Sequence, residues 1–333
     1  GTVIAGDGAV IDASASGSTI GGNAIITVAS GTATLSNGTN TVTVGGRIGA
    51  YEGATLKLTG SGDWKFTNFG YNLGGTLRIE DASKIAFSYG TNGNTSYNGT
   101  SPTTQTVTVS GTLDLADSVT HIQSAANCHV QELDFNTIKL NGQNLTLEET
   151  TQQAVWRIRN LEASEDTTIT WNASHTTTSN YRRAIGTEGW EQISETNSSR
   201  LILNGENSFT GKIIANRTAN GAAYNSYVEL AHDKALQHGT LELNGYEGST
   251  MSLAVNTNNA RIKGLTGNEH SLAYSGESSR INLASAPTGD GNNTLTITGS
   301  ESYNYKGAVN GLNIAMDGTG TQIFSGNNIK AQN

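Results

Sequence analysis

One short phrase recurs along the chain: a glycine, a small residue, then apolar and polar residues in alternation. It reads Gly8-Ala9-Val10-Ile11-Asp12, Gly31-Thr32-Ala33-Thr34-Leu35, Gly53-Ala54-Thr55-Leu56-Lys57-Leu58 and Gly75-Thr76-Leu77-Arg78-Ile79. These glycines stand 23, 22 and 22 residues apart, the spacing of one coil in a stacked repeat. The phrase returns at Gly111-Thr112-Leu113-Asp114-Leu115 and Gly239-Thr240-Leu241-Glu242-Leu243 after longer gaps. Glycine opens a turn that a side chain would block, and alternation places every second residue on one face of a strand. A unit of about 22 residues at roughly 3.3 Å each has a contour near 70 Å, room for three short strands and three turns. Coils stacked about 4.8 Å apart pair each strand with its equivalents. Strand-to-parallel-strand crossovers are overwhelmingly right-handed. The expected fold is all-β: one continuous right-handed single-stranded parallel β-helix over residues 1–333, with coils of about 22 residues and loop insertions.

Composition agrees with a polar-faced solenoid. Glycine supplies 41 of 333 residues, proline only 2, and charged residues 14%, against about 25% in ordinary domains. Thr, Ser and Asn take the place of the missing charge. A net charge of -9 disfavours nucleic acid, whose phosphates call for clustered Lys and Arg, and an anionic membrane surface. No apolar run approaches the roughly 20 residues of a membrane-spanning helix. No signal peptide precedes Gly1, so the chain reads as a mature or trimmed piece. The single cysteine, Cys128, is expected to be a small buried apolar residue.

Leu-Asn-Gly recurs at Leu140-Asn141-Gly142, Leu203-Asn204-Gly205 and Leu243-Asn244-Gly245. It predicts tight turns with positive φ, or a stacked asparagine ladder. Two stretches break the rhythm. Residues 88–105 lack apolar alternation and read as a loop. Residues 173–199 are richer in charge and aromatics and read as an insertion leaving and rejoining one coil.

No serine-nucleophile motif is present, and the six histidines lack zinc spacing; no metal and no cofactor is expected. Close acidic pairs occur at Asp114 and Asp117, Glu132 and Asp134, and Glu148 and Glu149, as a polysaccharide hydrolase would require; the favoured reading is chance pairing on a solvated outer face. Asp114, between Leu113 and Leu115, is expected to point outward. The 173–199 insertion is the best candidate for ligand binding: Tyr181 and Trp190 offer flat rings, Arg182 and Arg183 donate, Glu188 accepts. The alternative is that its apolar residues cover an end or groove of the prism.

From about Leu133 onward the phrases resemble the autotransporter-associated β-strand repeats of bacterial surface proteins. The resemblance is carried by Ile138-Lys139-Leu140-Asn141-Gly142-Gln143-Asn144-Leu145-Thr146-Leu147 and by Arg200-Leu201-Ile202-Leu203-Asn204-Gly205-Glu206-Asn207-Ser208-Phe209-Thr210-Gly211. It is clearest over residues 200–270; the N-terminal third shares only the glycine-strand style. The resemblance implies a parallel β-helix exported to the bacterial cell surface or beyond, and supplies no catalytic residues. The favoured function is a non-enzymatic, secreted or outer-membrane-associated passenger-like fragment, an adhesin or rigid stalk. Its expected partners are host or environmental glycans or surface proteins. The alternative is a carbohydrate-active hydrolase or lyase, or a glycan-binding module, on the same β-helix.

Overall fold

The computed structural model describes residues 1–67, 74–88, 104–124, 130–149, 153–163, 167–174, 181–184, 190–193, 199–218, 226–276, 291–327 and 329–330. Among these, every regular element is a β-strand. One parallel sheet of 13 strands runs from Val10–Asp12 to Ile329–Lys330. A second, of 14 strands, begins at Thr19–Ile20 and is also parallel throughout; a third holds only Thr2–Ala5, Ile25–Val28 and Arg47–Ala50. The chain visits the three in rotation at first, then alternates between the first and second, except for a separate pair at Tyr181–Ala184 and Trp190–Ile193 and for Ser302–Tyr305 and Thr321–Phe324, which each follow another strand of the second sheet.

Alternation, not the glycine, sets the register. Thr32 pairs with Thr55, Thr55 with Thr76, Thr76 with Thr112 and Thr112 with Thr137. The inner neighbours Ala33, Leu56, Leu77, Leu113 and Ile138 then stack in one buried column. The phrase glycines do not all fall in line: Thr76 opposite Thr112 keeps Gly75 level with Gly111, but Val10 pairs with Thr34, one place beyond the residue that matching Gly8 to Gly31 would select. A one-residue slip would turn every apolar side chain to solvent, whereas a glycine displaced by one residue only alters a turn. The Gly239 phrase departs further. Its Thr240 and Leu241 pair with Lys212 and Ile213 in the second sheet, while the five earlier phrases lie in the first.

Three long strands, Thr104–Leu115, Val130–Leu140 and Gln153–Glu162, carry the first sheet from one part of the strand to another. Strand Thr76–Ile79 pairs with the C-terminal part of the first, Thr112–Leu115. Strand Ser199–Leu203 pairs with the N-terminal part of the last, from Val155 to Ile158. The register shifts between Val109 and Thr112, and Gly111 occupies that shift. A Cβ there would stand 1.9 Å from the Gly75 carbonyl oxygen.

The Leu-Asn-Gly phrases have different physical reasons. Gly142 adopts φ 92°, as a turn demands. Gly205 and Gly245 are instead required for room: a Cβ on either would lie 1.9 Å from a neighbouring carbonyl, of Arg159 and His270 respectively. An asparagine ladder exists, but of the three phrase asparagines only Asn244 belongs to it. Asn216 donates to Asn172 at 3.1 Å, and Asn244 to Asn216 at 3.0 Å. Buried amides also clip neighbouring passes of the chain. Asn207 accepts from the Leu161 N–H at 2.5 Å and donates to the Ala235 carbonyl at 2.7 Å. Cys128 lies outside the described residues, as does most of 88–105; Thr104 and Gln105 already belong to a strand.

Candidate functional site

Within the 173–199 insertion, strands Tyr181–Ala184 and Trp190–Ile193 form an antiparallel pair. Arg183 stands opposite Glu191, and Ala184 opposite Trp190. The backbone thus brings Tyr181, Arg182, Arg183 and Trp190 together on one hairpin; Glu188 lies outside the described residues. Both flanks of this insertion attach to one side chain's residue. Ser174 Oγ donates to the Glu149 carbonyl at 2.6 Å, and Ser199 Oγ to Glu149 Oε2 at 2.7 Å.

The acidic pairs separate into unlike environments. Asp114 does project outward between buried Leu113 and Leu115, yet it is only 8% exposed. Arg78 donates to it at 2.8 Å and Asn141 at 2.7 Å. Arg78 also donates to Glu80 at 2.7 Å, and Lys57 lies 3.4 Å from the same carboxylate. That hydrogen bond holds Glu80 below the usual carboxylate range. Asp134 is gripped in bidentate fashion by Arg159, at 2.6 and 3.0 Å. Glu149 is a correction to an outward-facing acid pair: it faces the core, 4% exposed, and accepts from the indoles of Trp156 and Trp171. Among the described residues, no group of three His, Cys, Asp or Glu is placed to hold a metal ion.

A concave surface arises elsewhere, from two irregularities in the second sheet. Strand Leu236–Asn244 pairs with Asn259–Gly267 through Leu236 to Ile262 and Thr240 to Gly264. Three residues, Gln237 to Gly239, therefore stand opposite Lys263 alone. Such a bulge re-aims the side chains it contains. On its other edge, Asn259–Gly267 forks. Its first part pairs with Thr294–Ile297, while Gly267 pairs with Tyr305 of Ser302–Tyr305. In the gap, the Gln322 side chain takes the place of a strand, binding both the N–H and the carbonyl of Leu265 at 3.0 and 2.9 Å.

Between bulge and fork lies a hollow of about 480 Å³ lined by Thr210, Gln237, His238, Lys263, Thr298, Gly299 and Ser300. A second, of about 290 Å³, adjoins it through Gln237 and His238 and reaches Glu162, Glu206 and Ser208. Together they form one trough crossing successive passes of the chain. Its polar groups are fixed by their neighbours. Thr298 Oγ1 donates to the Ile262 carbonyl at 3.1 Å. Lys234 donates to Glu206 at 2.8 Å and holds that carboxyl below its ordinary range. Lys263 lies 3.6 Å from Glu301, and Glu301 accepts from Tyr303 at 3.2 Å. Burial and the Glu301 charge push the Tyr303 phenol up to about 12. Thr210 Oγ1 is enclosed and has no hydrogen-bond partner.

Sequence reasoning passed over Gln237, Lys263 and Thr298, and read His238 only as one of six scattered histidines. Their juxtaposition depends on partners far along the chain: Thr298 reaches the carbonyls of Ile262 and Gln237, 36 and 61 positions away, which no local pattern encodes. The one usable signal was the apolar-poor stretch Gln237-His238-Gly239 inside an otherwise alternating strand. Comparison with family models, with curated proteins and with solved structures finds no match.

Proposed function

We propose that the chain is a right-handed, single-stranded parallel β-helix closed around one core, with coils of about 22 residues. In this reading it serves as a non-enzymatic shaft of a secreted or surface-displayed bacterial protein of the passenger type, holding recognition elements away from the cell. One observation carries the reading. The ladder pairs Leu133 with Trp156 and Trp156 with Leu201, although the first step spans 23 residues and the second spans 45. Side chains in the ladder stay matched while the connecting segments vary, which is how a stacked repeat carries insertions. Asp114 and Asp134 are each held by an arginine side chain, which weighs against a hydrolase built on them because that chemistry needs a carboxyl directed at the glycosidic bond.

Two measurements test this. Electron microscopy of the purified chain should show rods; a globular particle would remove the shaft reading. Antibody against the chain should label intact cells of the source bacterium without permeabilisation. Labelling only after permeabilisation would remove the surface assignment and leave the shape untouched.

A further inference from the structure

We propose that the trough at the bulge and fork binds a linear, neutral oligosaccharide lying across successive passes of the chain. The proposal deepens the surface reading above by naming a ligand class, but its geometry stands separately. The lining comes from five passes: Glu162, then Glu206 to Thr210, then Gln237 and His238, then Lys263, then Thr298 to Ser300. Neighbouring strands lie about 4.8 Å apart, so five passes offer polar rungs over roughly 19 Å. An extended polymer meets such a series; a compact metabolite does not.

The lining decides the chemistry. Hydroxyls of Thr298 and Ser300, the Gln237 amide and the His238 ring supply both donors and acceptors, as a ligand studded with hydroxyls requires. Each ammonium beside the trough already has a carboxylate: Lys263 has Glu301 and Lys234 has Glu206. An anionic glycan or nucleic acid would have to break those pairs and approach Glu162 and Glu206, in a chain of net charge -9. An apolar or aromatic peptide side chain would find no dedicated apolar pocket to anchor it, because the lining side chains are mostly polar. The two irregularities give the trough its form. A regular ladder would leave this face flat; the bulge turns Gln237 and His238 out at the point where the two hollows meet.

Isothermal titration of the full chain with cellotetraose, maltotetraose and chitotetraose, beside a hyaluronan tetrasaccharide and glucose, tests the proposal. At least one neutral tetrasaccharide should bind, at least tenfold more tightly than glucose and than the hyaluronan fragment. The Gln237→Ala/His238→Ala double variant and Thr298→Lys should each weaken it at least tenfold with unchanged melting curves. Glu52→Gln, on a distant exposed turn, should leave it as in the wild type. No binding by any neutral tetrasaccharide would overturn the proposal, as would binding indifferent to the trough variants. Loss on Trp190→Ala alone would overturn it too, moving recognition to the hairpin. Rod-shaped particles together with any of these failures would sink the trough and spare the shaft.

Discussion

The indole N–H of Trp171 donates to Glu149 Oε1 at 3.0 Å, joining two neighbouring strands of the second sheet in which Trp171 itself pairs with Leu147. Trp156 donates to the same oxygen at 3.2 Å and Ser199 to the other at 2.7 Å. A buried carboxylate thus satisfies three donors from three separate strands. Removing it strands those donors in the core, which costs more than a hydrogen bond gains. Glu149→Ala should lower unfolding free energy by roughly 3 kcal/mol. Glu149→Gln, which keeps an acceptor for the indoles, should lose less than half as much. Urea titration followed by tryptophan fluorescence measures both; equal losses would mean that charge, not the acceptor, holds the site.

Asn207 joins Leu161 to Ala235 with the two ends of one amide. Asn207→Asp keeps the acceptor and removes the donor, leaving the Ala235 carbonyl facing a carboxylate. A loss of about 1–3 kcal/mol is expected, with Asn207→Leu at least as damaging. Chemical denaturation at pH 7 reads the difference.

Gly111 and Gly6 make a matched contrast. A methyl group at Gly111 would meet the Gly75 carbonyl at 1.9 Å, while one at Gly6 would meet nothing within 4 Å. Gly111→Ala should therefore destabilise by roughly 2 kcal/mol or more through overpacking, and Gly6→Ala should stay within about 0.5 kcal/mol of the parent. Paired melting curves suffice, and similar shifts for the two would count against the register at this bend.

The Arg78 hydrogen bond lowers the folded-state pKa of Glu80 below that of an ordinary glutamate. A depressed carboxylate contributes stability that is present above its unfolded pKa and lost as pH falls through the folded value. The melting-temperature gap between wild type and Glu80→Gln should thus be full at pH 7, shrink below about pH 4.5, and close in stronger acid. The pair is partly exposed, so the gap should be small and narrow further in high salt. A gap that widens toward acid would contradict the sign.

The all-β, parallel character was legible in the alternation because strand faces have period two, and Leu56, Leu77 and Leu113 obey it residue by residue. The equivalence of the phrases was less legible. The pattern does not state which sheet receives it, and Gly239 shows that the same words serve either. The trough was not legible at all, since Lys263 and Thr298 acquire meaning only from a bulge and a fork in strands distant in sequence. Nor did the residue types separate Glu149 from Glu148: one side chain faces the core and the other meets Lys84 at 3.8 Å outside it. Adjacent carboxylates on a strand must take opposite faces, and alternation with Leu145 and Leu147 assigns Glu149 to the inner one.

In the first long sheet each strand is hydrogen-bonded only to the strand before it and the strand after it, and among the described strands of the second only the fork at Asn259–Gly267 departs from this. Tension applied from one end of the ladder to the other pulls straight along those bonds instead of shearing many of them at once. The fold then yields by peeling, one strand pair at a time, each rupture small and each released length set by the loop it frees. At Trp156 and Leu201 the freed length is the largest step described above. Under the shaft reading proposed above, such a ladder would give way gradually under flow and rezip when the pull relaxes.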